Sequence, residues 1–344
     1  MMRYKMLGRS GLRVSELSLG VMTFGDRTAW GASREDSRAV FDAYVAAGGN
    51  FFDVANSYQL GDAERMLGEF VGERRHDFVI ATKYSLFANK GDPNSGGNHR
   101  KAIVRALEGS LKRLNTDYID LYWMHAWDGV TPTEEVMRAL DDLVRAGKLL
   151  HIGFSDTPAW VVSRAQVMAE LRDWTALAAI QITYNLMERG AERELLPMAR
   201  ALGISVTVWG ALASGLLSGK YGGANSEGRL KVTQPQGVPP EKLALVDKVR
   251  AVATARGATP AQVALAWVRA YDPGVIPIIG ARTASQLADN LGCLDLTLTA
   301  EEIATLNGLI AFDAGFPNIF LTRPLLDDIM FGGLRDRLDA PRPL

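Results

Sequence analysis

Along most of the chain, short runs of Val, Ile, Leu and Phe alternate with longer stretches in which apolar residues recur at helical spacing. Apolar runs of this kind suit strands of a parallel sheet buried on both faces, and the amphipathic stretches suit helices packed over it. The runs predict strands at Leu17–Leu19, Phe51–Val54, Phe78–Thr82, Ile119–Met124, His151–Phe154, Ala179–Ile182, Ser205–Val208 and Val275–Ile278. The stretches between them predict helices at Arg34–Ala47, Asp62–Val71, Arg100–Leu114, Thr133–Ala146, Trp160–Leu171, Glu192–Leu202, Pro240–Arg256, Pro260–Ala270 and Ala284–Asn290. Gly48-Gly49 and Gly147 fall just past two of these helices, where a left-handed C-cap favours glycine.

Eight βα units in succession, with no composition shift to mark a second domain, predict closure into a (β/α)8 TIM barrel of the α/β class rather than an open, doubly wound sheet. One domain over residues 1–344 is expected, with the barrel core at about 15–310. Ahead of the first unit, KMLGRSGLRV reads as a β-hairpin around Gly8–Gly11, placed to plug the bottom of the barrel. At the other end, the tail over 311–344 carries aromatics without a period and is expected to fold over the barrel mouth. The connection from Gly210 to Gly237 is too long for a simple turn, and loops of that kind usually carry function.

Charge narrows the possibilities. The 38 Lys and Arg nearly cancel the 39 Asp and Glu, without a block of either sign, which speaks against nucleic acid as a partner. No stretch of about 18 residues is free of charges and breakers, and the N-terminus lacks a leader's apolar segment, so no membrane association and a cytoplasmic location are expected. Cys293 is the only cysteine, which excludes an internal disulfide and a thiolate zinc site. No metal-ligand spacing such as His-Glu-x-x-His occurs, so chemistry without a metal is expected. Nor does a G-x-G-x-x-G follow any predicted strand, and SGLLSGKY lacks the first Gly and final Ser/Thr of a P-loop.

In a closed α/β barrel the active site forms at the C-terminal strand ends. Those ends carry Asp53 and Tyr58, then Lys83, His125, Ser155 with Asp156, Gln181 followed by Tyr184-Asn185, and Trp209, with GARTASQLADN after the eighth. Taken singly each has an ordinary explanation: Asp53 as an Asx turn, Trp209 as core, Gln181 and Asn185 as caps of the next helix. The conjunction of carboxylate, phenol, lysine and histidine at successive strand ends outweighs them. Of the four histidines only His125 lies at a strand's far end; His76 and His99 sit in polar turns and His151 opens a strand. A buried Lys83 needs a counter-charge, which Asp53 supplies. A cation beside a phenol lowers its pKa from about 10, which makes Tyr58 a usable general acid.

This constellation, an Asp-x4-Tyr segment with a Lys and a His, resembles the catalytic tetrad of the aldo-keto reductases, and the resemblance runs over most of the chain. It implies reversible carbonyl reduction with NADP(H), Tyr58 protonating the carbonyl oxygen, Lys83 and Asp53 tuning it, and His125 orienting the substrate. It also implies that Ser155, Asp156 and Gln181 hold the nicotinamide carboxamide and that Trp209 stacks on the ring. Asp156 replaces the family's usual Asn by a group that only accepts. Gly210, Leu212 and Ser214 would cover the pyrophosphate, and Gly280, Arg282, Gln286 and Asn290 the adenosine end. A guanidinium suits a phosphate monoester, so Arg282 favours NADPH over NADH. Trp30 and Trp127 are candidates for the substrate pocket, whose loops are expected around Trp30, Phe87–Asn98, Trp127–Thr131 and Phe316–Phe331. Two other functions remain open: a non-enzymatic, cofactor-sensing regulatory subunit like the family's potassium-channel β subunits, and a lyase or isomerase using Lys83 as a Schiff base. The pattern gives no oligomeric state.

Overall fold

A computed structural model of the protein describes residues 1–86, 89–219, 238–272 and 274–339. Phe87, the far part of the long loop from Lys220 to Gly237, and positions 340–344 of the tail lie outside them. The eight apolar runs form eight parallel strands: β3 (Ser18–Gly20), β4 (Phe51–Asp53), β5 (Val79–Tyr84), β6 (Ile119–Met124), β7 (Leu149–Ser155), β8 (Leu177–Thr183), β9 (Ser205–Trp209) and β10 (Val275–Ile279). They close on themselves in sequence order, β10 pairing with β3. The outer ring consists of α1 (Arg34–Ala46), α2 (Asp62–Val71), α3 (Arg100–Leu114), α4 (Thr133–Arg145), α5 (Ala159–Arg172), α6 (Leu195–Leu202), α7 (Pro240–Ala255), α8 (Pro260–Tyr271) and α9 (Ala284–Leu291).

The period-two alternation of strands divides the core in two. In β6, Leu121 and Trp123 point into the barrel beside Phe51, Ala179 and Ile276, while Tyr122 and Met124 join the layer between sheet and helices. The antiparallel hairpin of β1 (Tyr4–Met6) and β2 (Arg13–Ser15) buries Leu7 and Val14 against that interior cluster. It is tied to the starts of two strands, Gly8 donating its N–H to Ser205 Oγ at 2.7 Å and Lys5 Nζ to the Val275 carbonyl at 2.7 Å. Gly8 has φ of 58°, and a Cβ there would collide with the Ala178 carbonyl. The hairpin therefore plugs the bottom, as its position in the sequence predicts.

Two departures from the expected pattern lie on one side of the mouth. The helix expected from Glu192 starts only at Leu195, because Glu192 is held by both the Arg189 guanidinium and the Tyr184 hydroxyl. A further helix, α10 (Ala300–Asn307), follows a Thr299–Glu302 capping box, and α11 (Asn318–Leu321) and α12 (Pro324–Phe331) lie in the tail. The tail is fastened to the rim of the mouth. Arg189 donates to the Asn307 carbonyl at 3.0 Å, Arg193 to the Asp313 carbonyl at 2.8 Å, and Asn318 to the Arg193 carbonyl at 3.1 Å. Beyond this clasp Leu325, Ile329 and Met330 are exposed, and no described tail residue lines the mouth cavity. Among the described residues no helix is long and apolar enough to cross a membrane.

Candidate active site

Asp53 ends β4 and Lys83 lies one residue before the end of β5, and pairing of the two strands brings the carboxylate and the ammonium together. Lys83 is fully buried, and its Nζ donates to Asp53 Oδ1 and, at 2.8 Å, to the Val54 carbonyl. Burial opposes the ammonium's charge, but Asp53 and Tyr58 outweigh it and hold Lys83 above its ordinary pKa. The second carboxylate oxygen of Asp53 accepts from Gln181 Nε2 on β8 at 2.8 Å.

Tyr58 opens a 3-10 turn, Tyr58–Gly61, whose next residue Gln59 adopts a left-handed φ of 50°. That conformation turns the Gln59 side chain under the loop carrying Trp30, where its amide donates to the Met22 carbonyl at 3.0 Å and Thr28 Oγ1 at 2.8 Å. The Tyr58 ring lies 4.8 Å from Lys83 Nζ and meets the His125 ring edge-on at 5.9 Å. Burial, with Lys83 close by, pushes His125 from 6.5 down to about 3, so it is a neutral imidazole in ordinary buffers. Its Nδ1 is buried without a hydrogen-bond partner among the described residues.

From these residues a cavity of about 530 Å3 runs along the mouth past Ser155, Asp156, Gln181 and Trp209 to the Gly210–Ser218 turn and the segment from Gly280 to Asn290. Asp156, with a left-handed φ of 43°, accepts the Trp209 indole N–H on Oδ1 at 3.0 Å. Burial raises the Asp156 carboxyl above its usual pKa, against this bond and the pull of Lys83. Ser155 Oγ, also in the cavity wall, is buried with no partner among the described residues.

The sequence model of the Aldo/keto reductase family matches residues 16–311, nearly all of the barrel and its first helix beyond. The chain belongs to the aldo/keto reductase family. A norsolorinic acid reductase of Emericella nidulans is 40% identical over 323 residues, covering 91% of this chain and 82% of its own. An aldo-keto reductase of Aspergillus calidoustus is 38% identical over 334 residues (92% and 84%), and a putative aryl-alcohol dehydrogenase of Saccharomyces cerevisiae 35% over 335 residues (92% and 88%). These matches support an oxidoreductase that acts on carbonyls or alcohols, in a family that typically uses a nicotinamide cofactor.

In this aldo-keto reductase the expected residues fall on one cavity wall, with differences in what they bind. Asp53, Tyr58 and His125 line its inner end, with Lys83 beneath them. Gln181, expected to hold the carboxamide, has its amide N–H engaged by Asp53, and Asp156 has one oxygen engaged by Trp209. Leu212, Ser214, Gly280, Arg282 and Gln286 line the outer end. Gln286 there accepts from the Arg282 backbone at 2.9 Å, and Asn290 donates to the Gly280 carbonyl at 3.1 Å, so both brace the turn that presents the Arg282 side chain. Trp30 lines the cavity; Trp127 does not, its ring packing edge-on against Trp160 at 5.5 Å instead.

Sequence reasoning missed two groups. Met22, Thr23 and Leu86 line the cavity from loops whose residue types carry no chemical signal. Gln59 was hidden by the left-handed backbone that turns it inward. Asn185, a strand-end candidate in the sequence, donates to the Gly210 carbonyl at 3.0 Å and thereby sets the start of the β9 turn.

Proposed function

We propose that this aldo-keto reductase is a single-domain cytoplasmic enzyme that reversibly reduces hydrophobic aryl aldehydes and ketones with NADP(H), Tyr58 handling the proton. The observation that carries the reading is the buried Lys83 ammonium, held by Asp53 and the Val54 carbonyl 4.8 Å from the Tyr58 ring centre at the inner end of the cavity.

The residues suit the cofactor. Ser155 Oγ is a buried hydroxyl with its hydrogen-bonding capacity unspent among the described residues, as an amide ligand requires. Arg282 is exposed and forms no ion pair among the described residues, leaving its guanidinium for a phosphate. Trp209 lines the cavity with its indole N–H held by Asp156, which suits a ring that stacks on the nicotinamide. When bound, NADPH supplies the hydride. In the reducing direction Tyr58 donates its hydroxyl proton to the carbonyl oxygen, and Lys83 stabilises the phenolate that forms. His125, neutral, offers the carbonyl a hydrogen bond without adding a second cation. In the oxidising direction the Tyr58 phenolate takes the alcohol proton back. Trp30, Met22 and Leu86 provide apolar surface for an aromatic substrate, in keeping with the substrates named for the relatives. A Schiff base on Lys83 is disfavoured, because a paired ammonium held above its ordinary pKa is a poor amine nucleophile.

The test follows NADPH absorbance with a panel of benzaldehydes, aryl ketones and aliphatic aldehydes, with NADH in parallel. Wild type should prefer NADPH and the aromatic carbonyls, and Tyr58→Phe should lower kcat by about 10²–10⁴. Turnover undiminished in Tyr58→Phe, or no turnover in wild type, would overturn the mechanism; a clear NADH preference would overturn the role of Arg282.

A further inference from the structure

The inner end of the cavity holds more negative charge than the proton chemistry needs. Asp53 and Lys83 cancel as an ion pair, and His125 is neutral. That leaves Asp156, whose Oδ1 is met by the uncharged Trp209 indole N–H at 3.0 Å and which forms no ion pair among the described residues. Lys83, whose charge reaches Asp156, is already paired with Asp53. The other carboxylate in the cavity wall, Asp289, lies at the outer end, tied to Thr259 at 2.8 Å and Gln262 at 3.2 Å. The position of Asp156 is set by its backbone, whose N–H donates to the Gln181 carbonyl at 3.1 Å while φ stands at 43°.

For a carbonyl to take a proton from Tyr58 and a hydride at its carbon, the hydride donor must lie at this same inner end, among Ser155, Asp156, Gln181 and Trp209. The oxidised nicotinamide ring is a cation and the reduced ring is neutral, the rest of the cofactor being identical. On the reading proposed above, we infer that Asp156 is a specificity-determining residue that makes this site hold the oxidised, cationic cofactor more tightly than the reduced one. A neutral amide at position 156 would present no net charge to the ring. On the enzyme, the carboxylate shifts the equilibrium of the bound pair toward alcohol plus oxidised cofactor.

The bland explanation is that Asp156 only orients Trp209. Asp156→Asn separates the two, because asparagine keeps the acceptor oxygen for the indole and tolerates the left-handed backbone while losing the charge. Dissociation constants for NADP+, NADPH and 2′,5′-ADP are measured without substrate by tryptophan-fluorescence titration at pH 8, far above the ordinary carboxyl range. The asparagine variant should lose roughly tenfold in NADP+ affinity, as for one unit of a charge–charge pKa shift. NADPH affinity should be nearly unchanged, and 2′,5′-ADP, which lacks the ring, should bind equally to both proteins. Equal weakening for NADP+ and NADPH would show a contact rather than a charge effect and overturn the inference, as would no change for either. A wild type that binds 2′,5′-ADP and both dinucleotides without discriminating the ring's charge overturns the inference alone. One that binds no dinucleotide overturns the parent reading.

Discussion

Gln181 and Asp53, 128 residues apart, meet across the barrel mouth, the amide donating to Oδ2 at 2.8 Å. Asp53 thus has one oxygen on a cation and one on a neutral donor, and it is almost fully buried. Gln181→Leu leaves that second oxygen without a donor. The expected cost is about 1–3 kcal/mol of unfolding free energy, the penalty of a buried polar group left unpaired. Urea denaturation checks this, and an unshifted midpoint would show that Asp53 does not depend on Gln181.

The ion pair beneath Tyr58 allows stability and activity to be separated. Lys83→Met strands the Asp53 carboxylate in the core, with an expected loss of about 3–5 kcal/mol. Adding Asp53→Asn removes the stranded charge, so the double variant should recover most of that stability while remaining inactive, since neither residue can then act on Tyr58. Denaturation and carbonyl-reductase assays of both single variants and the double variant test it. A double variant as unstable as Lys83→Met would mean that packing, not charge, sets the loss.

His125 makes stability depend on pH. In the unfolded chain its imidazole takes a proton near 6.5, whereas the folded chain resists protonation down to about 3. Its contribution is therefore fully present above pH 6.5 and is lost as pH falls from there toward 3. His151, also lowered by burial, acts in the same direction. The urea midpoint of wild type should drop between pH 7 and pH 5, and in His125→Gln the drop should be smaller. An unchanged pH difference in that variant would refute the buried, neutral state of His125.

The barrel was legible because the strands are apolar runs buried in the core and the stretches between them keep helical spacing, two of them stopped by Gly48-Gly49 and Gly147. The inner end of the site was legible for a related reason: Asp53, Tyr58, Lys83 and His125 are reactive types at strand ends, and pairing of β4 with β5 and β5 with β6 brings them together. What escaped depends on directions that residue type does not encode. Gln59 points inward only because its φ is 50°, and Trp127 leaves the cavity only because Trp160 on α5 gives it an edge to pack against. The α10 helix had a readable start in Thr299 and Glu302, yet only about two turns of weak periodicity behind it. The tail's docking turns on backbone carbonyls reached by Arg189 and Arg193, for which side-chain pattern gives no sign.

Asn185 offers a last test, this time of the cofactor end. Its Oδ1 accepts the N–H groups of Met187 at 2.8 Å and Glu188 at 3.0 Å, while its Nδ2 donates to the Gly210 carbonyl at 3.0 Å. Gly210 leads into a turn in which Ala213, Ser214 and Gly215 all have positive φ, a strained path that needs an outside anchor. Asn185→Asp keeps the acceptor and removes the donor, so it should fold as wild type does while the turn along the cavity loosens. The expected result is a KM for the nicotinamide cofactor raised roughly five- to tenfold, the equivalent of one hydrogen bond, with kcat at saturating cofactor little changed. An unaltered cofactor KM would mean that the turn holds its shape without Asn185, and a fall in kcat instead would place the effect at the Tyr58 end of the cavity.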